Sequence, residues 1–284
     1  MHATARAHPA VADAIAPLAD LMRAAPCVLA ISGAGVSTDS GIPAYRDRAG
    51  QWARRAPVTH QEFVASAAVR RRYWARSMLG WPMLRAARPN DAHRALARLE
   101  RGGRIGALVT QNVDGLHGAA GSTAVIELHG RLREVRCLDC GTLHARDAVQ
   151  AAMRHANPAF AACAAAAAPD GDADLEADFD RFVAPACAAC GGTLKPDVVF
   201  YGDAVPRARA LAADRALAAA DALLVVGSTM MVRSAYRLCE AAHAAGKPVA
   251  AINLGRTRAD PLYRVKIEAE CGVALPALAA VLGA

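Results

Sequence analysis

Four cysteines fall into two pairs, Cys137-Leu-Asp-Cys140 and Cys187-Ala-Ala-Cys190, and a glycine follows each pair, Gly141 and Gly191. A C-x-x-C pair makes a tight knuckle that brings two thiolates to one metal. Two such pairs supply the four soft ligands of a tetrahedral zinc site. With four protein ligands the metal has no open position, so it is read as structural and not catalytic. The pairs are 46 residues apart, over 141–186, against ~15–20 in a compact ribbon, so an insertion lies inside the metal module. Disulfides are the competing reading, and a cytoplasmic chain without an export signal disfavours them. Cys27, Cys163 and Cys239 read as small buried apolar residues or incidental thiols.

A second set of chemically useful residues follows short apolar runs. The runs are Cys27 to Ser32, Ile105 to Thr110, Val125 to Leu128, Val198 to Tyr201, Ala222 to Val226 and Val249 to Asn253. Helix-like stretches stand between several of them, for example Arg207 to Ala220 and Ser234 to Ala245, with another near Val11 to Arg23. Strands alternating with helices imply an α/β fold, a Rossmann-like parallel sheet covered on both faces. Ligands of such sheets sit at the carboxyl ends of the strands. Gly33-Ala34-Gly35, Gln111 to Asp114, His129-Gly130, Gly227 to Thr229 and Asn253 to Gly255 are therefore candidates for one shared site.

Composition narrows the class. Of 284 residues 54% are apolar and 21% charged, enough to bury a core. The net charge of +7 hints at an anionic partner, but the basic residues are almost all arginine: the lysines are Lys195, Lys247 and Lys266. They are spread along the chain, and only Arg70 to Arg76 interleaves them with aromatics, so no nucleic-acid partner is expected. An arginine-rich zinc-ribbon module binding nucleic acid is kept as the reading of another class. No stretch reaches the ~18–20 apolar residues of a membrane helix, the nearest being Ala159 to Ala168, so no membrane partner is expected. Met1 to Leu21 lacks a secretory pattern, and Asp13 and Asp20 argue against a presequence. The expectation is a cytoplasmic monomer.

The loop after the first run, Gly33-Ala-Gly-Val-Ser-Thr-Asp-Ser-Gly41, is where a pyrophosphate would dock, on glycines and the amides of a following helix. The third glycine of the dinucleotide fingerprint is absent, position 38 being threonine, and no acidic residue ends a second strand to grip a ribose. A hydride-transferring dehydrogenase is disfavoured. The longer run Gly33 to Arg46 resembles the cofactor loop of the sirtuins, the NAD-dependent protein deacylases. The likeness continues in order through Thr110-Gln-Asn-Val-Asp114, Glu127-Leu-His-Gly130, the two cysteine pairs, Lys195-Pro-Asp-Val-Val-Phe-Tyr-Gly202, Gly227-Ser-Thr229 and Asn253-Leu-Gly255, covering Pro26 to Gly272. Arg72-Tyr-Trp-Ala-Arg76, Gly80-Trp-Pro82, Ala168-Pro-Asp-Gly-Asp172 and the insertion resemble the class II branch, which includes the mitochondrial lipoamidase and ADP-ribosyltransferase sirtuin.

The resemblance implies roles residue by residue. Sirtuins cleave the nicotinamide–ribose bond of NAD, trap the ribose carbon with the carbonyl of an acylated lysine, and pass the acyl group to ADP-ribose. His129 stands at the position of the base that takes a proton from a ribose hydroxyl. Asn112 would orient the ribose and a water, Asp114 the nicotinamide carboxamide, with Gln111 and Val113 beside them. Taken alone, a lone histidine is more often structural, and Asn112 and Asp114 could be loop caps. Gly33, Ala34 and Gly35 would meet the pyrophosphate, and Ser37, Asp39, Ile42, Pro43, Tyr45 and Arg46 would belong to the loop closing over the cofactor. Family members often carry aspartate where Ala44 stands, and no role passes to that position. Gly227, Ser228 and Thr229 would grip phosphate and ribose, Asn253, Leu254 and Gly255 the adenosine ribose, and Cys271 would lie near adenine through its backbone. Val198, Val199 and Phe200 would pair with a substrate peptide as an added strand.

Tyr73 and Arg76 share one helical face, and in the desuccinylase branch such a pair binds an acidic acyl group. The competing reading makes Arg76 an ion-pair partner. The function implied is an NAD-dependent lysine deacylase with one structural zinc and an acylated lysine as substrate; a mono-ADP-ribosyltransferase on the same fold is the alternative. The organisation implied is a Rossmann-type domain over 1–48, 103–132 and 196–284, a helical cofactor-loop module over 49–102, and a zinc-binding small domain over 133–195. The insertion Ala151 to Ala184 would reach over the acyl channel.

Overall fold

The structure is a computed structural model that describes residues 9–52, 57–163, 166–167, 172–174 and 178–284. In chain order the strands are β1 (Val28–Ser32), β2 (Ile105–Thr110), β3 (Val125–Glu127), β4 (Gly130–Cys137), β5 (Leu143–Ala145), β6 (Ala166–Ala167), β7 (Ala173–Asp174), β8 (Leu194–Val198), β9 (Ala222–Val226), β10 (Val249–Ile252) and β11 (Val265–Ile267). The α-helices are α1 (Pro9–Ala24), α2 (His60–Ala65), α3 (Ala67–Ala86), α4 (Asp91–Arg101), α5 (Leu116–Ala119), α6 (Arg146–Ala156), α7 (Pro158–Ala161), α8 (Arg207–Ala219), α9 (Arg233–Ala244) and α10 (Cys271–Val281).

Six strands form one parallel sheet in the order β11-β10-β9-β1-β2-β3. All five residues of β1 and of β9 are buried, so their runs are continuously apolar and not alternating, as a sheet covered on both faces demands. The period of two then sorts them. Val28, Ala30, Leu224, Val226, Ala250 and Ile252 face α1, α4 and α10, while Leu29, Ile31, Leu223, Val225, Val249 and Ala251 face α8 and α9. The helical stretch over 49–102 divides between cores. Ala92, Ala95, Leu96 and Leu99 of α4 join the sheet core, whereas Phe63 of α2 and Trp74 and Met78 of α3 pack against the cysteine module.

The expected strand Val198 to Tyr201 lies elsewhere, a correction to the reading above. Its place is taken by β8, which ends at Val198 and pairs antiparallel with β4, and β4 with β5, in a separate three-stranded sheet. Polar Lys195 and Asp197 hid this strand in the sequence. Both are buried because Lys195 is paired with Asp203, and Asp197 with Arg136 and Arg209. The strands β4, β5 and β11 and helix α10 carried no legible signal.

The insertion is anchored by aromatic contacts. Phe160 stacks on Phe179 and meets Phe182 edge-on, and Phe182 is buried in the core that also holds Trp74 and the ligand cysteines Cys137 and Cys187. The hairpin β6-β7 lies against α3, whereas residues 164–165, 168–171 and 175–177 lie outside the described residues, and so does most of Ala168 to Asp172. Among the described residues no helix is long and apolar enough to cross a membrane.

Candidate active site

The strand order creates the site. The chain steps from β1 to β2 to β3 in one direction and later enters β9 on the other side of β1, so the loops after β1 and β9 diverge around a crevice. There the backbones touch: Gly33 N–H donates to Val226 O at 3.0 Å and Gly35 N–H to Gly227 O at 2.8 Å. Gly227 has a φ of 57°, and a Cβ there would lie 2.6 Å from Val36 N. Gly227→Ala therefore combines a left-handed backbone with a backbone clash, and is expected to destabilise the protein by about 2–3 kcal/mol in urea unfolding. A loss under about 0.5 kcal/mol would show that the two loops are not locked together.

The crevice opens into a cleft of about 730 Å³ lined by residues from both sheets. Gly33, Ala34, Gly35, Ser37, Asp39, Ile42, Pro43, Tyr45 and Arg46 line it, as do Gln111, Asn112, Val113, Asp114 and His129. Gly227, Ser228, Thr229, Asn253, Leu254 and Cys271 also line it, and so do Val198, Val199 and Phe200. Gly255 is not among the lining residues. It abuts Arg48, which is, and a Cβ at Gly255 would meet Arg48 O at 2.2 Å.

Among the lining residues the side-chain amide of Asn112 donates to Gly33 O at 3.1 Å and to Ser37 Oγ at 3.0 Å, and Ser37 Oγ–H donates to Asp114 Oδ2 at 2.7 Å. Asp114 Oδ1 accepts the Leu116 N–H at 2.9 Å, while burial raises its carboxyl above the usual carboxylate range. These loop residues are thus capped by one another and still face the cleft, so capping and ligand binding are not exclusive. Behind them lie two buried imidazoles not anticipated from the sequence, His93 and His117, with ring centroids 4.8 Å apart. Burial lowers His93 to about 4 and His117 to about 3, so both are neutral.

His129 lies between β3 and β4, one residue before Gly130. Its Nδ1 lies 3.2 Å from Gln111 O and its Nε2 2.8 Å from Ser234 Oγ. Burial pushes its pKa down to about 4, with the Arg209 guanidinium acting in the same direction. At neutral pH the ring is an uncharged acceptor facing the cleft, the state a general base requires. Ser234 escaped notice because a serine opening an apolar-periodic stretch reads as a helix start; it lies in the first turn of α9.

Two lining aromatics, Tyr45 and Tyr201, pack with Trp52 beside the cleft. Trp52 lies edge-on to Tyr201 with centroids 5.3 Å apart, and the Arg46 guanidinium sits 3.9 Å over the Trp52 ring while donating to Gly50 O at 2.8 Å. Cys271 opens α10 with its thiol buried and pushed up to about 12, which leaves it unreactive. Val199 N–H donates to His129 O at 2.8 Å and Val198 O accepts from the Lys195 ammonium, tying this stretch to the base.

Tyr73 and Arg76 are placed differently. Neither lines the cleft. Arg76 makes a two-pronged pair with Asp172, Nε to Oδ1 at 2.9 Å and Nη2 to Oδ2 at 2.8 Å. Tyr73 is packed between Phe63 and Phe200, with centroids 5.3 and 5.2 Å away.

Cys137, Cys140, Cys187 and Cys190 have all four sulfurs within 4.8 Å of one another. Cys137 lies 3.6 Å from Cys190 and Cys140 3.8 Å from Cys187. A disulfide needs about 2.05 Å, whereas a tetrahedron of ~2.3 Å zinc–sulfur bonds places its sulfurs about 3.8 Å apart, so the cluster fits zinc. Both knuckles are closed by turns, Gly141 N–H donating to Cys137 O at 3.1 Å and Gly191 N–H to Cys187 O at 2.8 Å.

A parallel sheet with a polar cleft at its switch point, beside a closed four-thiolate module, defines a nucleotide-binding enzyme whose metal is structural. The Sir2 family model matches residues 33–234. An NAD-dependent protein deacetylase of Xanthomonas campestris pv. campestris is 56% identical over 246 residues, 86% of this chain and 84% of the relative. One of Bordetella bronchiseptica is 55% identical over 242 residues, 85% and 88% of the two chains. Among solved structures, one described as "Structural Basis for the Mechanism and Regulation of Sir2 Enzymes" superposes with a TM-score of 0.76 at 30% identity, covering 95% of this chain and 98% of that one. Another, "Sir2-p53 peptide-NAD+", gives 0.70 at 28% identity over 93% and 95%. The chain belongs to the Sir2 family: it is a sirtuin enzyme.

Proposed function

We propose that this sirtuin is an NAD-dependent protein lysine deacylase in which His129 is the general base. The carrying observation is that His129 and the hydrogen-bonded trio Asn112, Ser37 and Asp114 line one cleft together with Val199 and Phe200. NAD bound in the cleft supplies an activated ribose carbon and ribose hydroxyls. The Ala34 backbone amide and the Ser228 and Thr229 hydroxyls would hold its phosphates, with Gly33 and Gly35 leaving room for their approach, Asn253 the adenosine ribose, and Asp114 the carboxamide end. His129 Nε2 would take the proton of a ribose hydroxyl, and Asn112 would hold the ribose in register for that transfer. Tyr45, Trp52 and Arg46 would close the mouth against water, and the stretch from Val198 to Phe200 would align an acyl-lysine peptide by main-chain pairing.

For the acyl group the supporting feature is Arg76. Its planar fork, which would suit a carboxylate, is already filled by Asp172, and Tyr73 lies among aromatic rings with burial raising its hydroxyl pKa so that it stays neutral. We infer a preference for neutral acyl chains, acetyl or longer, over succinyl and glutaryl. The insertion, which supplies Asp172, would then shape acyl choice, in keeping with a class II resemblance. A panel of acetyl-, lipoyl-, methylglutaryl- and succinyl-lysine peptides with NAD should give kcat/KM at least about 10-fold higher for neutral chains, and Asp172→Ala should narrow that ratio. Succinyl turnover faster than acetyl turnover in the wild type would overturn the preference. A mono-ADP-ribosyltransferase would use the same base and cofactor. Mass spectrometry separates the two, since deacylation yields free lysine and an acylated ADP-ribose, and transfer yields an ADP-ribosylated protein. Many arginines on the exterior are engaged by acids, as in Arg23–Asp20, Arg71–Asp180, Arg94–Asp91 and Arg237–Asp214, which supports leaving nucleic acid out of this reading.

A further inference from the structure

The two contacts of the His129 ring are unequal in kind. Gln111 O is a carbonyl and can only accept, so a hydrogen bond at 3.2 Å puts the ring proton on Nδ1 and leaves Nε2 a bare lone pair. The Ser234 hydroxyl, 2.8 Å from Nε2, must then be donating to it. Both partners are fixed by elements that do not move with the ring: Gln111 directly follows β2, its own amide donating to Ser228 Oγ at 2.8 Å, and Ser234 sits in the first turn of α9. Ser234 lines the cleft together with His129.

A hydroxyl is the one small side-chain group that serves both states of such a base. With the ring neutral and no sugar bound it donates to Nε2, and it yields that single lone pair to the hydroxyl of a bound sugar. When Nε2 has taken a proton from the hydroxyl of a bound sugar, the oxygen–hydrogen bond of that sugar breaks, a nitrogen–hydrogen bond forms, and the ring becomes a cation. Rotation about the Cβ–Oγ bond then turns a lone pair of Ser234 toward the new Nε2–H, while Gln111 O keeps the Nδ1 proton. This matters because burial and the Arg209 guanidinium both oppose a positive ring, and a charge-assisted hydrogen bond is stronger than a neutral one. We infer that Ser234 is a positioning residue for acyl transfer, holding His129 with Nε2 toward the cleft before proton transfer and accepting the Nε2 proton after it. The inference rests on the reading of His129 as the base.

Ser234→Ala, Ser234→Thr and His129→Asn test it in the full-length protein. Ser234→Ala should lower kcat about 10-fold or more with the KM for NAD changed less than about twofold, since the contact strengthens only when the ring is charged. Ser234→Thr, which keeps the hydroxyl, should retain at least a third of kcat. In the protein without ligand, nitrogen NMR of the His129 ring should show the Nδ1–H tautomer, with the Nε2 resonance shifted in Ser234→Ala and restored in Ser234→Thr. A kcat within twofold of wild type for Ser234→Ala, an unmoved Nε2 resonance, or Ser234→Thr as impaired as Ser234→Ala would each overturn the role. If His129→Asn is inactive while Ser234→Ala is normal, only the role of Ser234 fails. If His129→Asn is active, the reading of the base itself fails.

Discussion

Replacing His129 by alanine is expected to cut kcat for NAD-dependent deacylation by about 100- to 10,000-fold, the range a positioned general base supplies. Folding should survive, because the side chain is only partly buried and its partners, Gln111 O and the Ser234 hydroxyl, can turn to water. The pH dependence carries a second signature. Burial lowers the pKa of His129 to about 4, so the free enzyme holds its base ready at all higher pH. Protonation removes the base, and kcat/KM should therefore fall on the acid side around pH 4, well below the ~6.5 of an ordinary histidine. The residual activity of His129→Ala should lack that limb. Wild-type kcat in the variant, with melting temperature unchanged, would remove the imidazole from the mechanism.

The second large effect is expected from the metal module. Cys187→Ser, or exhaustive chelation, should release one zinc per chain and unfold the three-stranded sheet, since structural zinc in small modules contributes about 10–16 kcal/mol of apparent binding free energy to folding. The loss should reach the active site, although the metal takes no part in the chemistry. The strand β4 starts at Gly130, next to His129, and ends at the ligand Cys137; β8 pairs along it and runs into Val199, whose N–H holds His129 O. Gly130 has a φ of 89°, and a Cβ there would overlap Asp197 O, so the two strands meet with no slack beside the base. Metal content by elemental analysis, far-ultraviolet circular dichroism and kcat should fall together. A metal-free protein with native spectra and full activity would show that the four thiolates hold nothing the fold needs.

How much of this was legible before the fold was known depends on the range of the signal. The parallel-sheet strands β1, β9 and β10 were readable within a residue or two because each is buried on both faces, and β2 and the edge strand β3 because each holds a short apolar run. The cysteine pairs were readable because metal ligation requires a fixed local spacing, and the cleft loops because each follows its strand immediately. By contrast β8 carries a lysine, a proline and an aspartate, and only Asp203, Arg136 and Arg209, all distant in sequence or on another strand, make it a buried strand. Sequence alone therefore determined the α/β class, the four-thiolate site and the set of polar loops that share a cleft. Tertiary structure alone decided which partners those side chains keep. Arg76 faces Asp172 from 96 residues away, and His129 meets Ser234 from 105 residues away. A spacing rule reaches only a few residues along the chain, whereas hydrogen bonds and ion pairs form between whatever groups folding brings within about 3 Å.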